Sequence, residues 1–234
     1  MIDFHAHVLP NMDDGSHSVE ESLAMLRASQ RQGVSRVIAT PHFYAQENTP
    51  QEFLRRRQVS WSKLASHLMD DGMPTVSLGA EVRYFQGISQ NDEICALRIE
   101  GTSLLLLEMP FTRWTDRILS EVLALQERSS IQVVLAHIER YFPLRHGILE
   151  EFQKGNILFQ ANADFFLHRF RRRQAFLMLR DRKIHLLGSD CHDMKARQPR
   201  LGMALEAIRR KLGPGAIEYL ERTGMLFTEG AKPV

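Results

Sequence analysis

The sequence predicts an α/β fold built on a parallel sheet. Three observations carry this prediction: short apolar runs recur along the 234 residues, helical patterns fill the stretches between them, and the repeat is about 33 residues, the size of one βα unit. No glycine-rich phosphate loop follows any run, which disfavours the nucleotide-binding versions of an open sheet. A doubly wound open sheet and a closed barrel both fit this pattern.

Seven runs are predicted to be strands. They are short, β-rich and mostly apolar on both faces, as strands buried in a parallel sheet are. The predicted strands are residues 1–4, 36–39, 76–78, 103–107, 132–136, 157–159 and 184–187.

The intervening stretches carry helix signals. Ser18 and Glu21 have the spacing of a capping box, and Gly33 stops the helix that follows. Thr49-Pro50 opens a second helix, which is expected to end before Gly72. Further helical patterns cover residues 116–128, 143–154, 166–182 and 201–211.

The composition excludes several classes of protein. With 44% hydrophobic and 25% charged residues and a net charge of +2, the chain is neither disordered nor fibrous, and it has no general attraction to nucleic acid. Two cysteines cannot form a disulfide framework, which favours a reducing, cytoplasmic location. We expect no signal peptide and no transmembrane segment, because the sequence starts without a basic and apolar leader and contains no apolar run of roughly 18 residues. The oligomeric state is left open.

Polar side chains stand at the end of every predicted strand. Six of the seven ends carry a metal-ligand type, and five of the ten histidines lie there. Because a barrel places its chemistry at the carboxyl ends of its strands, this pattern favours a barrel with a metal site. The residues concerned are His5, His7, His42, Glu81, Glu108, His137, Asp190 and His192.

Two of these ends repeat one spacing. His5 and His7 alternate on a strand, so both imidazoles point the same way, and Asp190 and His192 repeat the arrangement. Such sets suit Zn²⁺, Mn²⁺ or Fe²⁺. The loop Asp13-Asp14-Gly15 reads equally well as a ligand or as an ordinary turn.

Glu81 and Glu108 are the most informative ends. An ionised carboxylate that closes a buried strand is costly unless a positive group meets it. A metal is one such group, and a salt bridge to Arg83 or Arg140 is the alternative.

Other features have plainer interpretations. Five histidines away from the strand ends are expected to be surface or packed residues: His17, His67, His146, His168 and His185. Cys191 and Arg197 formally fit the C-x5-R pattern of cysteine phosphatases, but Asp190 and Asp193 oppose a low thiol pKa. The arginines of 166–182 form either a solvated helix face or a docking surface for an anionic segment, another subunit or lipid headgroups.

At these positions the sequence resembles the PHP (polymerase and histidinol phosphatase) superfamily, and within it the bacterial tyrosine-phosphatase branch of the CpsB/YwqE type. The resemblance covers nearly the whole chain. It is carried by Ile2-Asp3-Phe4-His5-Ala6-His7-Val8-Leu9-Pro10, Asp13-Asp14-Gly15, Thr40-Pro41-His42, Gly79-Ala80-Glu81, Leu107-Glu108, His137-Ile138-Glu139-Arg140-Tyr141 and Ser189-Asp190-x-His192. The chain departs from the family at the C-terminal tail, which lacks the usual Asn-Pro pair, and in the short loop 43–49.

The resemblance implies a distorted (β/α)7 TIM-like barrel, the PHP fold, as a single domain over residues 1–234. It implies three divalent metal ions, manganese first, with iron or zinc as alternatives. The implied ligands are His5, His7, Glu81 and Asp190 for the first metal, Glu81 as a bridge with Glu108 and His137 for the second, and Asp14, His42 and His192 for the third. Arg140 and Arg197 match phosphate-binding arginines, and His42 is a candidate proton donor.

The implied activity is hydrolysis of phosphotyrosine in proteins, with a bacterial tyrosine autokinase of capsule or exopolysaccharide synthesis as the expected partner. Two rival functions are a PHP phosphoesterase acting on a small phosphomonoester, of the histidinol-phosphatase kind, and a PHP nuclease. A third rival is a metal-stabilised binding module, which the bridging carboxylates disfavour because structural metal sites are closed sets rich in cysteine.

Overall fold

A computed structural model describes residues 1–68, 72–128, 130–144 and 147–229. His146, part of the predicted helix 143–154 and the last residues of the tail lie outside the described residues. No helix within the described ranges combines the length and apolar character needed to cross a membrane.

The strands lie in two parallel sheets, of three and six strands, which together form the curled layer of the fold. Their bounds are β1 Ile2–Ala6, β2 Arg36–Ala39, β3 His42–Phe43, β4 Thr75–Leu78, β5 Glu81–Arg83, β6 Leu104–Glu108, β7 Gln132–Leu135, β8 Leu158–Asn162 and β9 Leu186–Gly188. All pairings are parallel, in the orders β1-β2-β4 and β3-β5-β6-β7-β8-β9. Because two residues separate β2 from β3, and β4 from β5, the nine strands correspond to seven runs of chain.

The two sheets meet where β1 passes the segment that follows β9. Ala6 forms a parallel bridge with Cys191, the His7 N–H donates to the Cys191 carbonyl at 2.9 Å, and the Asp190 N–H donates to the His5 carbonyl at 2.8 Å. The predicted α/β fold with a TIM-like curled parallel sheet is therefore confirmed.

Eight α-helices alternate with or follow the strands in the described part of the chain. They are α1 Val19–Arg31, α2 Pro50–Ala65, α3 Asp116–Gln126, α4 Ile148–Lys154, α5 Ala163–Leu167, α6 Arg172–Arg180, α7 Leu201–Leu212 and α8 Pro214–Glu229. Short 3₁₀ turns lie at Ile88–Gln90, Asp92–Leu97 and Ile138–Tyr141.

The predicted helix starts hold, with one difference. At α2 the Thr49 and Glu52 side chains form the complete reciprocal capping box, with Pro50 in the first position. At α1 the Ser18 hydroxyl accepts from the Glu21 N–H at 3.2 Å, but the Glu21 carboxylate accepts from the His17 N–H at 2.9 Å instead of closing the box. Both arrangements satisfy N–H groups that lack partners within the helix.

Two helix predictions were wrong in extent, and one helix was not predicted. The predicted helix 166–182 is divided into α5 and α6, which keeps Arg169 out of the helix; one continuous helix would set it one turn from Arg172 and Arg173. The predicted helix 143–154 begins only at Ile148, after Gly147 in the left-handed conformation (φ 88°). Helix α8 was not predicted; Gly213 ends α7 and Pro214 begins α8.

The interior of the sheet is filled by apolar side chains from several strands, with α8 below them. This interior cluster comprises Phe4, Ile38, Ile99, Leu104, Leu106, Val134, Ala136, Leu158 and Leu186, with Ile2 and Phe227 packed against it. Phe227 belongs to α8, and a Cβ at Gly224 would approach the Phe4 ring to 3.0 Å, so α8 lies close under the amino ends of the strands. The carboxyl ends are left for the polar site.

Candidate metal centre

The site begins with a change of face in β1. Phe4 belongs to the interior cluster, whereas Ala6 packs in the outer core between sheet and helices. Strict alternation would place both on one face, and the register irregularity between Asp3 and Ala6 accounts for the change. His5 and His7, which flank Ala6, therefore face inward at the carboxyl end, fully buried.

Four predicted ligands of the first metal surround one point. His5 Nε2 and His7 Nε2 are 3.1 Å apart, and Glu81 Oε2 lies 3.2 and 3.4 Å from them. Asp190 Oδ1 lies 3.7 Å from His5 Nε2 and 3.6 Å from His7 Nε2. A tetrahedral ion with ligand bonds near 2.1 Å has ligands about 3.4 Å apart, so these distances fit the edges of such a shell.

Glu81 is at the centre of the site. Its Oε1 lies 2.7 Å from His137 Nε2, and its Oε2 lies 2.8 Å from His42 Nδ1. Burial would raise the pKa of Glu81, but the adjacent imidazoles of His5, His137 and His42 hold it well below the usual value. The carboxylate is therefore ionised and shared among four imidazoles at the ends of three strands, β1, β3 and β7.

The remaining predicted ligands lie on either side of Glu81. His137 Nε2 is 3.5 Å from Glu108 Oε1. Asp14 Oδ1 is 3.4 Å from both His42 Nε2 and His192 Nε2. Three groups of residues each bring their ligand atoms within 4.8 Å of one another. The groups are His5, His7 and Glu81; His42, Glu81 and Glu108; and His7, Asp14, His42 and His192. His42 and His7 thus each adjoin two sets, a wider sharing than the sequence predicted.

The donor set fits divalent cations. Several buried atoms of the site make no hydrogen bond of good geometry within the described ranges, although Glu81 Oε2 and His42 Nδ1 approach each other at 2.8 Å: Glu81 Oε2, Glu108 Oε2, His42 Nδ1, His137 Nδ1 and His192 Nε2. Such atoms are costly to bury unsatisfied, and carboxylate oxygens with imidazole nitrogens are the ligands that Mn²⁺, Fe²⁺ and Zn²⁺ accept.

The salt-bridge alternative holds only at the edge of this set. Arg83 Nη1 approaches Glu108 Oε2 at 3.8 Å. For Glu81, the close partners in the described structure are imidazole nitrogens and not guanidinium groups.

Two of the site residues have unusual backbone conformations. His137 (φ 31°) and Asp190 (φ 52°) lie in the left-handed region, which is uncommon for residues other than glycine. Strain of this kind is found at functional sites, where the surrounding structure holds it in place. Here it turns both side chains toward the interior directly after their strands end.

Asp13 orients the His7 imidazole and holds the His42 backbone, a role that the sequence interpretation did not assign to it. Its Oδ2 accepts from His7 Nδ1 at 2.6 Å and from the His42 N–H at 2.8 Å, and its Oδ1 accepts from the Gly15 N–H at 3.0 Å. Burial would raise the pKa of Asp13, but His7 lowers it well below its usual range. The contact directs His7 Nε2 toward Glu81, because the other ring nitrogen is held.

Gln160 and Asn162 perform the same task on the opposite side and were also missed. Gln160 Oε1 faces His5 Nδ1 at 3.2 Å and accepts from the His137 N–H at 2.7 Å. The Gln160 amide donates to Asn162 Oδ1, and the Asn162 amide donates to Asp190 Oδ2, at 2.9 and 2.8 Å. Gln160 and Asn162 lie two and four residues after the interior residue Leu158 on β8, so all three point to the same face of the strand. Polar residues on the face of a core residue were the sequence signal that could have identified them.

The two predicted phosphate-binding arginines meet at Asp190. Arg140 Nη2 contacts Asp190 Oδ2, and Arg197 Nη2 contacts Asp190 Oδ1 at 2.7 Å. Each guanidinium side chain is 36% exposed, so each also faces solvent. With Asp190 they line a cavity of about 220 Å³. Burial would lower the pKa of Arg140, but Asp190 raises it, and the group stays cationic.

An aromatic rim, not predicted from the sequence, borders the site. The Phe111 ring is 54% exposed and lies 6.2 Å from the His137 ring at an interplanar angle of 20°. The Tyr44 ring stacks on the His42 ring at 5.3 Å. The Arg83 guanidinium lies 5.8 Å from the centres of the Tyr44 and Phe111 rings. This rim offers an aromatic and cationic surface to a group entering the site.

Cys191 is unsuited to act as a nucleophile. Its side chain is fully buried, and burial raises the pKa of the thiol far above its usual value. A thiolate nucleophile needs the opposite environment.

Comparison with known proteins places this arrangement in a family. The model of the family described as capsular polysaccharide synthesis, CpsB/CapC, matches residues 1–224. The chain belongs to the CpsB/CapC family. It is 28% identical to the tyrosine-protein phosphatase CpsB of Streptococcus agalactiae serotype V, with 100% of this chain and 98% of that protein aligned. It is 30% identical to the Streptococcus pneumoniae protein of the same name, with 91% of each covered.

Solved structures agree with this membership of the CpsB/CapC family. One from a study of Bacillus subtilis YwqE and S. pneumoniae CpsB, described as metal-dependent tyrosine phosphatases, superposes with a TM-score of 0.85 at 25% identity, covering 100% of this chain and 96% of that chain. A β-aspartyl dipeptidase from Fervidobacterium islandicum shares the fold alone, with a TM-score of 0.53 at 13% identity and 92% and 70% of the two chains covered.

Proposed function

We propose that this chain is a metal-dependent protein-tyrosine phosphatase, with one catalytic domain over residues 1–234. The observation that carries the proposal is the convergence of eight carboxylate and imidazole side chains around Glu81, with Arg140 and Arg197 at their edge. Family membership and the activity named for the relatives support it.

The proposed site holds three divalent cations, manganese first, with iron or zinc as alternatives. His5, His7, Glu81 and Asp190 would hold the first, Glu81, Glu108 and His137 the second, and Asp14, His42 and His192 the third. When bound, such cations act as Lewis acids on phosphoryl oxygens and activate water for attack on phosphorus.

The protein's own groups bind and orient the substrate. Arg140 and Arg197 hold the phosphoryl oxygens in the 220 Å³ cavity that they share, and their guanidinium groups suit a bidentate clamp. Asp13 and Gln160 keep the ring orientations of His7 and His5 fixed. The Phe111 ring contacts the phenyl group of the substrate.

The leaving group needs little help. A phenol has a pKa near 10, well below that of an alkyl alcohol, so protonation matters less for phosphotyrosine. His42 is the candidate donor of that proton. Its side chain is 14% exposed beside Asp14, which itself is 66% exposed, so it can reach both the site and solvent. The expected partner is a phosphotyrosine protein, in particular a bacterial tyrosine autokinase of capsule synthesis.

Chelation and metal replacement test the proposal. Purified protein is stripped of metal, then assayed on a phosphotyrosine peptide and on a small alkyl phosphomonoester with added Mn²⁺, Fe²⁺ or Zn²⁺. We expect activity to vanish on chelation, to return with Mn²⁺ and to favour the peptide. Activity without metal would overturn the proposal, and faster turnover of the alkyl ester would favour the histidinol-phosphatase-like alternative.

The bridging role of Glu81 is tested by Glu81→Gln, which keeps the shape and removes the charge. We expect kcat to fall by about 10³-fold or more, together with loss of bound metal measured by elemental analysis. Full activity with an unchanged metal content would refute the role.

A further inference from the structure

A basic groove lies between α6 and α7, outside the metal centre. Its volume is about 740 Å³. Six cationic side chains line it: Arg169, Arg172, Arg173, Arg180, Arg210 and Lys211. The cations are exposed, and Phe176 and Leu177 add apolar surface between them.

Few of these cations are neutralised. Arg180 pairs with Asp181 at 2.8 Å, and Arg210 pairs with Glu206 at 3.4 Å. Across the described ranges, the ion pairs do not include Arg169, Arg172, Arg173 or Lys211. The groove is thus a concentrated positive surface on a chain whose net charge is only +2.

The stability of helix α6 does not explain these arginines. Arg171 is its N-cap residue, Arg172 and Arg173 follow, and the first turn contains no acidic residue. The N-terminus of a helix carries partial positive charge and favours acids, so three arginines there destabilise the helix. A negatively charged partner would reverse this effect.

The groove and the proposed catalytic cavity are lined by neighbouring residues of the chain. Arg171 lines the 220 Å³ cavity together with Arg140 and Arg197, and the next residue, Arg172, lines the groove. A substrate whose phosphotyrosine occupies the cavity would reach the groove within a few residues, because an extended chain spans about 3.3 Å per residue.

We propose that the groove between α6 and α7 binds an acidic polypeptide segment that flanks the phosphotyrosine of a protein substrate. This inference rests on the proposed function. The cations attract the segment's carboxylates, and Phe176 and Leu177 contact its apolar side chains. A polypeptide suits the groove better than a membrane does, because the surface is concave and its lining residues adjoin those of the cavity in the chain.

Charge reversal tests the proposal. The double variant Arg172→Glu, Arg173→Glu is compared with Arg55→Glu, Arg209→Glu, which makes the same charge change at exposed positions that do not line the groove. The substrates are p-nitrophenyl phosphate and two phosphotyrosine peptides, one flanked by glutamates and one by glutamines, with Mn²⁺ present. Thermal unfolding checks that both variants are folded.

For the groove variant we expect KM for the glutamate-flanked peptide to rise on the order of tenfold at low salt, with kcat and the other two substrates unchanged. The wild-type preference for that peptide should weaken with added salt. Equal KM values in both double variants, or equal changes for both peptides, would overturn the proposal. Loss of sedimentation with phosphatidylglycerol vesicles at unchanged peptide KM would assign the groove to a membrane instead. If p-nitrophenyl phosphate is not hydrolysed by the wild type, the proposed function has failed, not the groove.

Discussion

Asp13→Asn should weaken metal binding, although it replaces none of the predicted metal ligands. Asp13 Oδ2 accepts two N–H groups, from His7 and from the His42 backbone, while Oδ1 accepts the Gly15 N–H. An asparagine has only one acceptor oxygen. Whichever way its amide turns, an NH2 group faces an N–H group in a buried position.

The expected size follows from these contacts. A buried donor left without an acceptor costs about 1–3 kcal/mol, so the metal-free protein should lose that much stability. The 2.6 Å contact to His7 also changes from charge-assisted to neutral, which roughly halves its strength. Residues that orient metal-ligating histidines typically contribute 10- to 100-fold to metal affinity, about 1.4–2.7 kcal/mol.

The measurement is a calorimetric titration of Mn²⁺ into chelator-treated protein, with thermal unfolding of the same samples. Asp92→Asn is the matched control, since its side chain is 95% exposed in a surface ion pair with Arg128. We expect weaker Mn²⁺ binding for Asp13→Asn only. A dissociation constant within twofold of the wild type would refute the orienting role, because the contact could then be dispensed with.

Three other predictions use independent features. Phe111→Ala should raise KM for an aryl phosphate several-fold and leave that for an alkyl phosphate unchanged in steady-state assays, because the exposed ring borders the site. Cys191→Ser should keep kcat, since the buried thiol with its raised pKa does not act; loss of chemistry with intact metal binding would contradict this. His185 accepts a hydrogen bond from the Phe159 N–H at 3.0 Å, and burial lowers the pKa of its imidazole from 6.5 to about 4. Between these two pH values only the unfolded chain binds a proton at His185, so the free energy of unfolding decreases as the pH is lowered from 6.5 to about 4. His185→Gln should remove up to about 3 kcal/mol of that fall, measured by urea unfolding at pH 7 and 4.5 with chelator present.

The strand ends could be predicted because their signal is local. An apolar run that ends at Glu81 or Glu108 indicates a buried carboxylate, and a buried carboxylate needs a positive partner whatever the rest of the chain does. The alternation of His5 and His7 likewise follows from strand geometry alone. The barrel then brings these ends together without further information, because all strands are parallel.

The orienting residues could not be found in this way. Asp13 reads as part of a turn, and only the approach of His7 and of the His42 backbone, 29 residues away in sequence, gives it a role. The division of the predicted helix after Leu167 also depends on packing, because α6 is a separate helix that buries Ala175, Met178 and Leu179. Intrinsic propensity would have allowed arginines throughout that stretch.

The irregularity in β1 links the two halves of the interior. Below it, Phe4 faces inward and packs with the apolar layer that α8 closes, where Gly224 permits the close approach. Above it, the alternation of side chains along β1 changes phase, so His5 and His7 face inward instead of a further apolar residue in phase with Phe4. A β1 with regular alternation could not serve both layers, because aligning Phe4 with the core would direct both imidazoles outward. The apolar layer and the ligand layer therefore depend on the same local distortion, and the polar residues of β8 continue the inward phase that Leu158 sets.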